Sequence, residues 1–444
     1  MPGFIASPPG LPLLGHVRAV RRDPLAFFTT CARTYGDVVR LRLGPFPALL
    51  VSDPTLIEAI LARHHQQFDK GRGLRSNRRL LGNGLLLSEG DYWLRQRKMV
   101  QPAFHRERLT QYAETMVDST ERLTSSWHEG EVLDIHEAMM RLTLVIVGKV
   151  LFGADVANKA DIVARVTRTG LQAFDHRAQT LFLLPERLPT PANVRFFFAA
   201  REMDSLVYGL IRERRQSAAR HGDLLDELLA AQDDEGTGGM SDKQLRDEVM
   251  TLLLAGHETT ALALTWAFWL LAQHADIEQR LAAEVRDVLG SRSPGIADLP
   301  ALRLTEAVVN ESLRLYPPAW TLIRRSLEPV ALDGLTIPTR NAVFMSQWVM
   351  HRDPRFFEHP EAFDPDRWLG EAAARIPAGA FFPFGIGPRQ CVGRRFAMME
   401  AVLLLAGIVQ RFSLTRASNE AIGLRPSVTL RPDRPVMMTV HRRS

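Results

Sequence analysis

Strict alternation of apolar and polar positions is confined to a few short stretches of the chain. In Val38–Leu43, Arg40 and Arg42 fall on one side and Leu41 and Leu43 on the other, the period of a half-buried strand. Gly44-Pro45-Phe46-Pro47 then reads as a turn, and Ala48–Val51 as a returning strand. Val330–Ile337 holds Asp333-Gly334 between two short apolar runs, a hairpin signal. Ser427–Leu430 and Val436–Val440 flank a Pro-Asp-Arg-Pro turn and predict a terminal hairpin. Elsewhere the spacing is helical. Asp53-Pro54 opens a helix, with Asp53 as its cap and Pro54 at the first position. The longest pattern runs from Ser241 to about His274 and starts with Ser241 and Gln244 as a capping box. Some 34 residues at ~1.5 Å each span about 50 Å. Its middle is apolar nearly all round, which predicts burial on every side. Few strands, placed early and late, with helices between them, give an α+β class that is mainly α.

Composition narrows the chemistry. Among 444 residues, 55 Lys and Arg face 50 Asp and Glu, a net charge of +5 with both signs interspersed, which is no nucleic-acid footprint. The only cysteines, Cys31 and Cys391, lie far apart; this excludes a disulfide-stapled scaffold and suits a reducing compartment. Met1–Pro12 has no basic segment followed by a long apolar one, so no signal peptide is expected. No uninterrupted apolar run reaches the ~20 residues of a membrane span. Val249–Ala272 comes nearest but carries His257, Glu258 and several threonines, and prolines break Leu181–Ala200. The expectation is a cytoplasmic protein without a transmembrane anchor. Asp69–Gly90, Asp233–Gly239 and Ser291–Pro300 read as loops, and there is no internal repeat.

Two places break local rules. One is Ala255-Gly256-His257-Glu258-Thr259-Thr260, which sets a glycine, two threonines and a costly buried acid in the middle of the long helix. The other is the Gly- and Pro-rich run Phe384-Gly385-Ile386-Gly387-Pro388-Arg389-Gln390-Cys391-Val392-Gly393, followed by the apolar stretch Phe396–Ile408. A thiol ahead of a helix N-terminus meets the positive end of the dipole, and Arg389 adds positive charge, so the thiolate is favoured. The glycines let backbone approach a flat surface. A thiolate on haem iron favours O–O cleavage. There is no Cys-x-x-Cys for zinc and no Cys-x-x-Cys-His for covalent haem. A buried structural cysteine is the alternative, and the commoner fate of a lone Cys.

The loop matches, in full, the signature Phe-x-x-Gly-x-Arg-x-Cys-x-Gly, and on that ground the chain resembles the cytochrome P450 haem-thiolate family. Three further elements follow the family's order: the mid-helix Ala-Gly-x-Glu-Thr, the Glu-x-x-Arg formed by Glu311 and Arg314, and Phe363-x-Pro365-x-Arg367-Trp368. The resemblance implies a single domain over residues 1–444. Its helix-rich core covers about 91–320 and 380–412, and its β-rich portion about 38–60, 320–350 and 425–441. It implies haem b with Cys391 as the axial thiolate, and Phe384, Gly385 and Gly393 around it. Glu311, Arg314 and Arg367 become a buried structural triad behind the cysteine loop. Trp93 and Arg97, four apart on one face, serve the propionates, with Arg389 as a second cation. Arg324 fits the family's strand arginine, and Arg325 beside it leaves that choice open by one residue. Ala255 and Gly256 let the long helix pass close over the haem. Thr259 hydrogen-bonds dioxygen or its water and Glu258 relays protons, since O–O cleavage needs two of them from positioned donors. Thr260 leaves open which hydroxyl serves, though spacing favours Thr259. His257, the His64-His65 pair and Cys31 read as structural or surface residues.

The resemblance also implies electrons from NAD(P)H through a separate ferredoxin or flavodoxin and its reductase, since the chain has no flavin or iron–sulfur motif of its own. Lys98, Arg394 and Arg395 are the cations that would steer such an acidic carrier to a monomeric enzyme. The expected pocket wall takes in Asp69–Leu87 with Leu74, then Ala255, Ala319, Thr321 and Leu322, and Gln172 to Phe198 forms a lid. These Leu- and Phe-rich segments suit a lipophilic small molecule such as a fatty acid, terpenoid or steroid-like compound. Two alternatives compete with an O2-dependent monooxygenase. A peroxide-driven peroxygenase is disfavoured by the Glu258-Thr259 pair, and a haem sensor without turnover would bind ligands but form no product.

Overall fold

A computed structural model describes residues 5–71, 78–153, 162, 165–166, 168–170, 172, 189–217, 221–231, 238–332, 334–371 and 373–443. The chain opens with α1 (Val17–Arg22), α2 (Pro24–Tyr35), β1 (Val38–Leu43), β2 (Phe46–Val51), α3 (Pro54–Glu58) and β3 (Phe68–Asp69). Helices follow: α4 (Arg78–Leu81), α5 (Gly90–Val100) and α6 (Arg106–Ser125), then β4 (Val132–Asp134) and α7 (Ile135–Phe152). Next come α8 (Pro191–Gln216), α9 (Leu224–Ala230), α10 (Asp242–Leu271), α11 (Ala275–Leu289) and α12 (Arg303–Leu315). Short strands β5 (Leu322–Ser326), β6 (Val330–Leu332), β7 (Leu335–Ile337) and β8 (Ala342–Met345) precede α13 (Gln347–Met350). The chain closes with α14 (Arg394–Arg411), β9 (Phe412–Arg416), β10 (Leu424–Pro426), β11 (Leu430–Pro432) and β12 (Met437–Arg442). No helix among the described residues is long and apolar enough to cross a membrane.

The chain divides into two compact units. The first holds residues up to 75, 310–391 and 424–431. Its centre is a five-stranded sheet in the order β1-β2-β8-β5-β3, antiparallel except for the β2–β8 pair. The alternation read from Val38–Leu43 holds, with Val39 and Leu41 buried and Arg40 and Arg42 exposed. From Ala48 to Val51, β2 is buried on both sides. Leu49 and Val51 join Ile57, Ile60 and Phe382, while Ala48 and Leu50 join Phe28, Cys31 and Trp320. Successive side chains point to opposite faces, so one strand feeds two apolar layers. Asp53 Oδ1 accepts the Leu56 N–H at 2.8 Å and starts α3 as the Asp-Pro signal predicts. β6 and β7 form the expected antiparallel hairpin around Gly334, whose φ is +86°; Asp333 lies outside the described residues.

The second unit holds residues 76–309, 392–423 and 432–444. Its axis is α10, capped by the predicted box: Gln244 N–H donates to Ser241 Oγ at 3.3 Å and Ser241 N–H to Gln244 Oε1 at 2.8 Å. Thr143 on α7 donates to the His257 carbonyl at 2.9 Å, locking α7 onto α10. The glycines before α5 have a local purpose. Asn83 N–H reaches Asp247 Oδ2 at 2.8 Å and Leu85 N–H reaches Glu248 Oε2 at 3.0 Å. A Cβ on Gly84 would stand 2.4 Å from the Asp247 carbonyl oxygen, so only glycine lets this turn lie on the helix.

The terminal hairpin is a correction. β11 pairs with β10, and β12 pairs with β9 and with β4, more than 300 residues earlier, so the two runs join different sheets. The turn residues between them are real, but the Leu430 N–H bonds the Pro318 carbonyl at 3.0 Å and draws β11 away.

Candidate active site

From Phe384 to Cys391 the cysteine loop lies in the first unit, and Val392 and Gly393 belong to the second. Cys391 N–H donates to the Phe384 carbonyl at 2.9 Å and closes the loop on itself. Gly385 and Gly387 both take φ of +72°, a left-handed conformation that side chains resist. A Cβ on Gly387 would lie 2.6 Å from the Leu61 carbonyl oxygen, so the glycine also permits a close backbone crossing. Gly385, by contrast, is open: a Cβ there would meet nothing nearer than Leu322 Cδ1 at 3.8 Å. The loop thus presents an exposed cysteine beside bare backbone, which fits a flat, thiolate-bound group. Cys31 is buried in α2, and burial pushes its thiol up to about 11, so it stays a neutral core residue.

A continuous hydrogen-bond path runs from the triad to this loop. Glu311 and Arg314, both fully buried on α12, meet through two parallel bonds of 2.8 Å. Arg367 Nε donates to Glu311 Oε1 at 3.0 Å and Trp368 Nε1 to Oε2 at 2.8 Å. Arg314 also donates to the carbonyls of His351 at 2.8 Å, Pro360 at 2.6 Å and Ala362 at 2.9 Å. These five donors compensate two ions that would otherwise be costly to bury. His351 Nε2 accepts the Phe382 N–H at 3.0 Å, and the Phe382 carbonyl accepts the Gly385 N–H at 2.9 Å. Burial first, then the Arg314 and Arg352 charges, hold the His351 pKa well below its ordinary value. It is therefore a neutral acceptor. Nothing in the local sequence singles out His351, and Trp368 is visible only as part of its motif.

The two neighbouring arginines separate. Arg325 forks onto Asp69, with Nε to Oδ1 at 3.0 Å and Nη2 to Oδ2, across the β3–β5 pair. Arg324 is half-buried and donates to the Ile323 carbonyl at 3.0 Å. Arg389 ends the short helical turn Gly387–Arg389 and is half-buried, as is Phe384. Gly393 caps α14, accepting the Ala397 N–H at 2.8 Å. Ala319, Thr321 and Leu322 are half-buried before and on β5, and Leu74 lies outside the described residues.

In the second unit, Trp93 is buried and Arg97 half-buried on α5, one turn apart as spaced. Between them Gln96 is fully buried, and among the described residues neither of its amide atoms has a hydrogen-bond partner. Along α10, Ala255 is exposed and Thr259 half-buried although the turns on either side are buried. One stripe of a core helix is therefore open at the residues predicted to face a cofactor. Thr259 Oγ1 donates to the Ala255 carbonyl at 2.8 Å, and Thr260 Oγ1 to the Gly256 carbonyl at 3.4 Å. Glu258 is buried. At Gly256 the missing side chain faces Val147 Cγ2 of α7, which a Cβ would meet at 3.3 Å. It permits close helix packing, while Ala255 lies on the open stripe. His257 is buried, and His64 and His65 bond to Gln67 Oε1 and the Ala62 carbonyl, as structural residues do. Of the expected lid, residues 191–198 open α8, and most of the rest lies outside the described residues.

Sequence reasoning missed Glu400. It sits on α14, fully buried, with neither carboxylate oxygen completing a hydrogen bond among the described residues; Thr260 is its polar neighbour. Burial pushes its pKa up to about 8. An acid inside the apolar run Phe396–Ile408 was the available signal.

The decisive observation is that every motif stands in order along one chain: the cytochrome P450 family model matches residues 5–440. The chain belongs to the cytochrome P450 family. It is similar to cyclooctatin synthase of Streptomyces melanosporofaciens, with 40% identity over 434 residues, covering 96% of this chain and 93% of that protein. Cyclooctat-9-en-7-ol 5-monooxygenase from the same organism is 39% identical, covering 92% of this chain and 89% of its own length. Pentalenene oxygenase of Streptomyces avermitilis is 35% identical, covering 93% and 92%. This P450 is a haem-thiolate oxidoreductase that incorporates molecular oxygen, with haem b on a cysteine thiolate. The mainly α, α+β fold read from the sequence is the fold observed.

Proposed function

We propose that this P450 inserts one oxygen atom from O2 into a terpenoid, with electrons from NAD(P)H brought by a separate ferredoxin or flavodoxin. The observation that carries the reading is the exposed Cys391 in a glycine loop tied by hydrogen bonds to the buried triad. The names of the relatives, which specify cyclooctat-9-en-7-ol and pentalenene as substrates, support the substrate class. When bound, haem on a thiolate supplies the dioxygen chemistry and the oxygen atom transferred. Cys391 Sγ is the iron ligand, with Phe384, Gly385 and Gly393 around it. Trp93 Nε1 and the guanidiniums of Arg97, Arg324 and Arg389 hold the propionates. The remaining work is proton delivery. One oxygen atom enters the substrate C–H bond, and the other leaves as water with two electrons and two protons. Thr259 Oγ1 releases the Ala255 carbonyl and gives up its proton, and the Glu258 carboxyl restores it. Ala255, Ala319, Thr321 and Leu322 line the substrate. Lys98, Arg394 and Arg395, all exposed, steer the acidic electron carrier in the cytoplasm.

The purified protein, reduced under carbon monoxide, is expected to give the long-wavelength band of a thiolate-bound ferrous haem. Cys391→Ala abolishes it; a band that survives sinks the assignment. Titration of the ferric Soret band with terpenoid alcohols and hydrocarbons, beside fatty acids and steroids, tests the substrate class. Terpenoids should shift it at the lowest concentration and yield a product one oxygen heavier.

A further inference from the structure

The N-terminal segment and β1 frame a surface cleft of about 510 Å³ that contains none of the residues assigned to the haem site. Arg40 and Arg42 stand on its wall, Ser7 and Thr336 beside them, and no Asp or Glu among the described residues lines it. Arg42 Nη2 donates to the Leu11 carbonyl at 2.9 Å, which fixes that guanidinium at the rim. Asn341, also lining the cleft, is more than nine-tenths buried, and its Oδ1 has no hydrogen-bond partner among the described residues. His16 is scaffold: its Nδ1 accepts the Arg42 N–H at 2.9 Å and its Nε2 contacts the Pro8 carbonyl at 3.0 Å. Two guanidiniums with an unused acceptor suit an anionic group that also carries a hydroxyl.

An apolar tip stands next to this cleft. Leu11 is 42% exposed, Leu13 88%, Leu14 51% and Phe46 38%. Leu13 takes φ of +62°, unusual for a branched side chain, in a turn closed by the Leu11–Gly15 bonds of 2.9 Å. The Gly44 N–H on the Leu14 carbonyl, at 3.1 Å, sets Phe46's hairpin turn against it. Arg18, Arg21 and Arg22 of α1 are exposed beyond the tip, and residues 5–22 contain no carboxylate. The first acid, Asp23, caps α2 by accepting the Ala26 N–H at 2.9 Å. Exposed leucines followed by three exposed arginines, in a segment without acids, match an anionic bilayer: the leucines enter the acyl boundary and the arginines meet headgroups. An acidic protein would satisfy the charges but not the leucines.

We propose that this cleft binds the headgroup of an anionic phospholipid, phosphate on Arg40 and Arg42 and a headgroup hydroxyl on Asn341 Oδ1, and so docks the enzyme peripherally on a membrane surface. The test uses the full-length holoprotein with vesicles of phosphatidylcholine alone or mixed with phosphatidylglycerol, read by flotation. Haem content is checked for every variant, so the result does not depend on turnover. The mixed vesicles should carry the protein, the plain ones should not, and raised salt should weaken binding. R40E/R42E should lower partitioning about tenfold or more, as expected for reversing two interfacial charges. L13S/L14S should lower it while keeping the salt dependence. Equal binding to both vesicles, or partitioning indifferent to L13S/L14S, overturns the proposal. So does inorganic phosphate protecting the cleft arginines from modification in a protein that floats with no vesicle. A concentration-dependent dimer relieved by L13S/L14S would give the tip to a second copy and overturn it too.

Discussion

His351 Nε2 accepts the backbone N–H of Phe382 at 3.0 Å, two residues ahead of the loop that ends in Cys391. Through its carbonyl the same residue accepts Arg314 at 2.8 Å. A single buried residue, through its carbonyl on one side and its imidazole on the other, therefore joins the Glu311–Arg314 pair to the cysteine loop.

Replacing that acceptor should disturb the loop before it disturbs the fold. His351→Leu leaves the Phe382 N–H buried without a partner, which costs about 1–3 kcal/mol. The expected outcome is reduced haem retention and a smaller thiolate band per protein at nearly native helix content. Arg314→Lys removes the fork from Glu311 and three carbonyls, and should cost about 3–5 kcal/mol by chemical denaturation. Because His351 is held neutral in the folded state, it also contributes an acid limit: as pH falls below its ordinary value of 6.5, the unfolded chain takes up the proton and stability declines.

Among the described residues Thr259 bonds only within its own helix, to the Ala255 carbonyl, so its loss should be felt in chemistry rather than stability. Thr259→Ala is expected to keep the melting temperature and haem content, lower product, and let NAD(P)H oxidation continue uncoupled. Thr259→Ser should restore coupling. Unchanged coupling in the alanine variant would move the proton role to Thr260.

Glu400 should make the protein less stable as pH rises. Its folded pKa is about 8, above the ordinary 4.5, so the group remains protonated in the fold while the unfolded chain ionises. Stability is full below 4.5 and falls through the window up to about 8, by up to about 1.4 kcal/mol per pH unit. Glu400→Gln should flatten that slope in urea titrations at pH 5, 6.5 and 8. Parallel slopes for both proteins would mean that the carboxyl is ionised in the fold.

Gly387→Ala forces a side chain into a left-handed backbone and within 2.6 Å of the Leu61 carbonyl oxygen. The strain is of order 1–3 kcal/mol before any clash is counted. Haem incorporation should fall sharply, whereas Gly385→Ala, strained but unobstructed, should fall less. Equal losses would show that conformation alone matters.

Arg324 and Arg325 should differ although adjacent. Arg325→Ala and Asp69→Asn should be non-additive in stability, because each strands the other's partner across the β3–β5 pair. Arg324→Ala should instead weaken haem retention with little effect on unfolding.

The features that sequence determined are those whose cause is local. The strand alternation at Val38–Leu43, the Asp53-Pro54 and Ser241/Gln244 caps, and the cysteine loop with its two left-handed glycines are each decided within a few residues. The Glu311–Arg314 pair is one helical turn and was equally legible. Tertiary structure decided which distant group each side chain meets. Hydrophobic period reports that β11 and β12 are buried, but not that they join different sheets. Two consecutive arginines look alike until Asp69, 256 residues earlier, claims one of them. Gly256 faces Val147 and Glu400 lies in an apolar interface because whole helices pack there. Burial and desolvation are properties of the assembled neighbourhood, and no short window of sequence contains that neighbourhood.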